Sequence, residues 1–148
     1  MKELILTCGI PASGKSTAIK TLYPNAKVIS PDNFIGYTKE DPWTGEKVKE
    51  AWNKANDTLL ESFGKGEEFI VFDAMFLKPW LRIKYVNWAL QYDYYVSCLY
   101  CPIPFKIALA RNEERDEFRK IPIKSMIKMY DSLEEPTYEE GFFLILRA

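Results

Sequence analysis

Apolar positions along this chain fall into short unbroken runs and longer stripes at helical spacing, and the two kinds take turns. Residues 3–8 (Glu3-Leu4-Ile5-Leu6-Thr7-Cys8) form an apolar run that predicts a buried strand. Residues 15–22 suit a helix, and 26–30 a second strand that ends in Pro31-Asp32-Asn33. Residues 34–45, rich in turn formers and aromatics, predict a loop. Asp41-Pro42 is placed to cap a helix to about Phe63, with Val48, Ala51, Trp52, Ala55, Leu59 and Phe63 on one stripe and Gly64 and Gly66 ending it. Strand 68–72 is closed by Asp73, helix 78–92 carries Leu77, Leu81, Val86, Trp88 and Leu90 on or beside it, and 94–100 is a further strand. From Pro104 a helix begins apolar and runs into the charged tract 110–120, where Ile121-Pro122 breaks it. A last helix over 122–133 has its stripe at Ile123, Met126, Ile127, Tyr130 and Leu133, and 142–146 is the final strand. Regular alternation of strand and helix predicts an α/β domain over residues 1–148: a mainly parallel sheet of about five strands, covered by helices on both faces.

Composition narrows the chemistry. The chain has 148 residues, 47% of them hydrophobic, enough for one real core. No apolar run is long enough to cross a membrane, and strand 1 starts too near residue 1 for a secretion signal, so a cytoplasmic protein is expected. Three cysteines and no histidine disfavour a disulfide framework and a zinc site. Cys98 and Cys101 have C-x-x-C spacing but lie in and just after a predicted strand, where positions three apart face opposite sides, so they read as buried structural thiols. Without histidine, any general base is a carboxylate, Lys, Cys or Tyr. A net charge of −1 gives no basic face suited to long nucleic acids, although a local basic patch is compatible with it.

Between the first strand and the first helix stands Gly9-Ile10-Pro11-Ala12-Ser13-Gly14-Lys15-Ser16, the pattern G-x-x-x-x-G-K-S in the strand–loop–helix context it requires. Glycines let successive N–H groups curl around a polyphosphate, and the helix N-terminus aims its dipole at the same anion. Gly9, Ala12, Ser13, Gly14, Lys15, Ser16 and Thr17 are therefore the predicted binding set for ATP or another nucleoside triphosphate. Lys15 would reach the β- and γ-phosphates and Ser16 would ligate Mg²⁺.

Two carboxylates and a run of arginines extend this site. Asp32 and Asp73 each follow a predicted strand, where open α/β sheets place ligands. Asp73 is the predicted acid of the Mg²⁺ shell. Asp32 is placed either to accept the proton of an attacking hydroxyl or merely to cap the turn at Asp32-Asn33. Arg111, Arg115 and Arg119 are spaced by four, which on one helix aligns them. They read either as a phosphate-clamping lid over 111–122 or as a solvated surface helix with Glu113, Glu114, Asp116 and Glu117 interspersed.

Taken in order, Ile5–Thr17, Ile29-Ser30-Pro31-Asp32-Asn33-Phe34, Arg111-Asn112-x-x-Arg115 and Ile121-Pro122-Ile123-x-x-Met126-x-x-Met129-Tyr130 resemble the kinase domain of phage-type 5′-polynucleotide kinase and related P-loop kinases. The resemblance spans nearly the whole chain. It implies a three-layer P-loop kinase fold with a helical lid and Mg²⁺-dependent transfer from ATP to a 5′-hydroxyl. It further implies Lys15, Asp32 and Arg115 as catalytic residues, Asp32 being the general base, Arg111 as support for Arg115, and Ser16 and Asp73 at the metal. The family's acceptor-side arginine falls at Ile35, and its Asp-Thr pair after the third strand is Asp73-Ala74. Both departures touch the acceptor, so the expected partner is a 5′-hydroxyl nucleic acid end or a small nucleoside-like acceptor. Phe34, Tyr37, Trp43 and Phe76 are candidates for stacking a base, or else ordinary core aromatics. A nucleotide-binding module without turnover is the remaining alternative, and the intact Lys15, Ser16, Asp32 and Arg115 speak against it.

Overall fold

The computed structural model describes residues 1–35 and 44–148. Strands β1 (Glu3–Cys8), β2 (Lys27–Ile29), β3 (Phe69–Phe72), β4 (Tyr95–Tyr100) and β5 (Leu144–Arg147) alternate with helices α1 (Lys15–Leu22), α2 (Gly45–Lys65), α3 (Pro79–Gln91), α4 (Phe105–Glu113) and α5 (Ile123–Ser132), α4 and α5 both lying between β4 and β5. The strands form one sheet in the order β2-β3-β1-β4-β5, with every pairing parallel, as the alternation of elements predicts. β1 is central. The chain leaves it toward β2 and β3, then crosses to β4 and β5, so the crevice at the carboxyl end of β1 is a topological switch point, where such sheets bind ligands.

Side-chain alternation sorts the core into two layers. Leu4, Leu6 and Cys8 of β1 pack with Ala55, Leu59 and Phe63 of α2 and Tyr85, Val86 and Ala89 of α3. Ile5, Val71 and Leu99 point the other way, onto Ile19 of α1. Cys98 joins the first layer and Cys101 the second, and all three cysteines are buried and free, as their spacing predicts. A third, smaller cluster of Ile10, Ala108 and Met126 lies where α4 and α5 pack on one another.

Several boundaries differ from the sequence expectation for physical reasons. Thr44 caps α2, its side chain accepting from the Lys47 N–H, while the cap expected at Asp41-Pro42 lies outside the described residues. Gly66, at φ 70°, terminates α2, and Gly64 remains inside its last turn. The helix expected over 104–120 stops at Glu113 and is followed by a separate 3₁₀ turn, Glu117–Arg119. Arg111, Arg115 and Arg119 are thus not aligned on one helical face. Beyond Leu109 the tract offers no apolar stripe to bury, and a helix of exposed charges has no packing to sustain it. In α5 only Met126 is buried, while Ile123, Ile127 and Tyr130 stay 54%, 44% and 42% exposed, because α5 rests on α4 and its small cluster.

α3 also holds an arginine that its apolar pattern hides. Arg82 is fully buried; its Nε and Nη2 donate to the two carboxylate oxygens of Glu140, its Nη1 donates to the Phe76 carbonyl at 2.7 Å, and Cys8 Sγ lies 3.7 Å away. Glu140 belongs to the 3₁₀ turn Tyr138–Glu140 and also accepts from the Thr137 N–H. Phe76 is held at φ 47°, an unfavourable conformation for a bulky residue, and the bond from Arg82 to its carbonyl helps keep it there.

Candidate active site

The loop after β1 has the shape its pattern requires. Gly9 donates to the Met75 carbonyl, and a Cβ added to it would come within 2.7 Å of Ser13 Oγ and 2.9 Å of the Cys101 carbonyl, so no side chain fits there. Ala12 and Gly14 take positive φ of 65° and 92°, the second free of strain only because it is glycine. Arg111 Nη1 donates to the Ala12 carbonyl at 3.2 Å, so an arginine of α4 braces the strained turn of the loop. α1 begins directly behind it with no side-chain cap and no acidic residue in its first turn, leaving N–H donors and a positive dipole end facing outward. Ser13 Oγ is buried without a hydrogen-bond partner among the described residues. An orphaned hydroxyl, an uncapped helix start and a cradle that rejects a Cβ together fit a bound polyphosphate.

Lys15 folds back onto its own loop, its Nζ donating to the Gly9 and Ile10 carbonyls at 2.9 Å each. Burial pushes its ammonium below the ordinary lysine range, against the pull of Asp73, Cys101 and Asp32. An incoming phosphate would replace two weak carbonyl partners with a full charge.

The two carboxylates stand at the ends of neighbouring strands. Asp73 follows β3 and donates its N–H to the Ile29 carbonyl at the end of β2. Thr7, fully buried in β1, donates its hydroxyl to Ala74 O at 2.6 Å, lies 3.2 Å from Asp73 Oδ1, and accepts from the Ala74 N–H. One hydroxyl thus ties the central strand to the peptide that presents Asp73. Asp32 sits exposed on the 3₁₀ turn Pro31–Phe34, just past β2.

Burial raises the Asp73 carboxyl, opposed by Lys15 and Thr7. A carboxyl raised in the folded state lends stability below its ordinary value near 3.8 and loses it as pH rises through the raised value. Ionised Asp73 therefore weakens the nucleotide-free fold at neutral pH. Asp73→Asn is expected to raise the melting temperature of the free protein at pH 7 and to flatten its pH dependence above pH 4, measured by calorimetry across that range. An unchanged or lower melting temperature would contradict the sign.

Asn112 organises the segment after α4. It is buried, its Nδ2 donating to the Ile121 carbonyl at 2.8 Å and its Oδ1 accepting from the Ile121 N–H at 3.1 Å. This amide clamp joins the Arg111-Asn112 and Ile121-Pro122 segments and closes the tract carrying Arg115 and Arg119 into a loop.

The phosphate loop, the two carboxylates and the arginines after β4 open onto one cleft of about 1190 Å³. Ala12, Ser13, Gly14, Lys15, Ser16, Thr17, Asp32, Asp73, Arg111 and Arg115 line it, as do Arg119, Ile35 and Ala74; Gly9 is not part of the lining and starts the loop, tied to Met75. Among the described residues no three metal-ligating side chains gather, so a Mg²⁺ ion here would take Ser16, Asp73, phosphate oxygens and water, the mixed shell that Mg²⁺ favours. Of the stacking candidates, Phe76 is sealed in the core, Phe34 is 38% exposed and outside the cleft lining, and Tyr37 and Trp43 lie outside the described residues. Sequence reasoning missed Thr7, Asn112 and the cleft-facing position of Trp52. The first was signalled only by a hydroxyl in an apolar strand, while Asn112 stood inside a quoted motif without a role.

A parallel sheet in this order, with the phosphate loop after its central strand and carboxylates after β3 beside it and β2 at the sheet edge, defines a P-loop kinase fold. The chain belongs to the AAA domain family AAA_33, whose model matches residues 4–136. Solved structures agree on the fold. A candidate kinase from Chloroflexus aurantiacus J-10-fl superposes with a TM-score of 0.75 at 16% identity, covering 99% of this chain and 84% of that one. A chain of the Pnkp1/Rnl/Hen1 RNA repair complex gives 0.71 at 17% identity over 89% of this chain, which spans 44% of that longer chain. A gluconokinase from Sinorhizobium meliloti 1021 gives 0.63 at 18% identity, covering 98% and 81%. Among the described residues no helix is long and apolar enough to cross a membrane.

Proposed function

We propose that this protein is an ATP- and Mg²⁺-dependent kinase that phosphorylates the 5′-hydroxyl of an oligo- or polynucleotide, with Asp32 as general base. The observation that carries the reading is the convergence of Lys15, Asp32, Asp73, Arg111 and Arg115 on one cleft at the mouth of the phosphate loop. The likeness to a chain of an RNA repair complex supports the acceptor class. In this mechanism the acceptor oxygen attacks the γ-phosphorus in line, its proton passes to an Asp32 carboxylate oxygen, and ADP leaves. Exposure suits Asp32 to that part, since it leaves the carboxylate open to an incoming hydroxyl. Lys15 holds the β- and γ-phosphates, and Arg115 neutralises charge that develops on the transferred group. Bound Mg²⁺, held by Ser16 and Asp73, supplies further neutralisation of the phosphate oxygens.

A second reading, a kinase of a small nucleoside-like or other hydroxyl metabolite on the same scaffold, draws on Ile35 and Ala74, which put apolar groups on the cleft wall where the resembling kinases carry an arginine and a threonine. The gluconokinase likeness is compatible with it. Incubation of labelled ATP with 5′-hydroxyl DNA and RNA oligonucleotides, beside nucleosides, nucleotides and polyols, separates the two. Label on oligonucleotide 5′ ends is expected; transfer only to small acceptors sinks the polynucleotide reading, and nucleotide binding with no transfer at all sinks both.

A further inference from the structure

We infer that the acceptor presents a nucleobase to this cleft and that Trp52 is the surface on which the base stacks, an inference that rests on the kinase reading above. α2 packs directly against the 3₁₀ turn that carries Asp32, so α2 side chains entering the cleft stand on the acceptor side. Those side chains are Val48 and Trp52. Ile35, Ala74 and Met75 line the same cleft, and across these five side chains the indole N–H is the one hydrogen-bond donor and the Met75 thioether a weak acceptor. A polyol laid against such a wall would leave hydroxyls unpaired, whereas a base offers a π-face and directs its polar edge elsewhere.

The indole is also held in place before anything binds. Its ring centroid lies 5.8 Å from Phe72, 6.1 Å from Phe76 in an edge arrangement and 6.4 Å from Tyr85. Those three rings are sealed in the core, while Trp52 is only partly buried and is the member of the cluster that lines the cleft. A ring fixed by packing loses little freedom on stacking, which suits it as a binding platform. Its place on the apolar stripe of α2 conceals this from sequence, where it reads as an ordinary core residue.

The test uses the wild-type protein and two 5′-hydroxyl oligonucleotides of one sequence, one of them with an abasic 5′-terminal residue. Steady-state kinetics with ATP are expected to show a KM for the abasic end roughly 5- to 150-fold higher, the range that loss of one base–aromatic stack spans, with the KM for ATP unchanged. Trp52→Phe should retain most of the discrimination. Trp52→Leu should treat both oligonucleotides alike, with ATP affinity reporting that the variant is folded. Equal KM values on the wild-type protein overturn the stacking while leaving the kinase reading intact, and this arm decides the matter even where a variant fails to fold. Phosphorylation of polyols but of no nucleic acid end or nucleoside overturns the inference and the polynucleotide reading together.

Discussion

Replacing Asp32 with asparagine is expected to lower kcat by about 10²- to 10⁴-fold, the usual contribution of a positioned general base. Nucleotide affinity and thermal stability should hardly change. Both expectations follow from position: Asp32 is exposed, caps no helix through its side chain among the described residues, and lines the cleft from a turn outside the phosphate loop. Steady-state kinetics with a saturating acceptor, alongside a nucleotide titration, would read the two effects separately. Turnover of Asp32→Asn at the wild-type rate would leave the proton without an acceptor on this turn and would move the search to Asp73. A loss confined to KM would instead make Asp32 a binding group.

The second large effect concerns stability. Arg82→Met would leave Glu140 buried with its principal partner gone, a change that costs about 3–5 kcal/mol when a buried pair is broken from one side. For a domain of this size that corresponds to a fall of roughly 6–20 °C in melting temperature. Pairing the change with Glu140→Gln should recover part of the loss, because an uncharged side chain pays less for the same burial. Glu140 also sets a pH signature. Burial pushes its carboxyl up, but the hydrogen bonds from Arg82 and Thr137 outweigh that and hold it below the ordinary range. A depressed carboxyl contributes stability above its unfolded value near 4.5 and loses it as pH falls through the folded value. Wild-type stability should therefore drop below pH 4.5 more steeply than that of the double variant. If Arg82→Met melted within a degree or two of wild type, the pair would not be the structural tie described here.

Asp73 and Glu140 thus have opposite signs in one fold. Asp73 is half-buried, and burial outweighs the pull of Lys15 and Thr7, while Glu140 is buried with hydrogen bonds that outweigh its burial. Sequence alone separates neither from any other acid, since the sign depends on what packs around each group.

Much of the architecture was legible from local pattern. Short apolar runs alternating with helical stripes are sufficient for a parallel sheet, because a strand buried on both faces needs helices to cover it. The phosphate loop was equally legible, since its pattern is written in the lack of room for a side chain at Gly9, the positive φ at Gly14 and the single cation at Lys15. The rule that ligands sit past the carboxyl ends of strands pointed to Asp32 and Asp73, and both line the cleft.

What local pattern cannot carry is any contact made at long range. The tract 110–120 has helical spacing of its arginines, yet Asn112 reaches Ile121 and turns it into a loop. Thr7 gains its meaning only when β3 lies beside it, and Arg82 only when Glu140 arrives from near the far end of the chain. Trp52 has the same helical register whether its ring faces core or cleft; the packing of α2 against the turn of Asp32 decides that it meets both. The sequence by itself determined the donor end, because phosphate is held by consecutive backbone groups within one loop. The proposed acceptor side was decided by tertiary structure, because that wall of the cleft is assembled from α2 and from the segments after β2 and β3, which meet only when the sheet has formed.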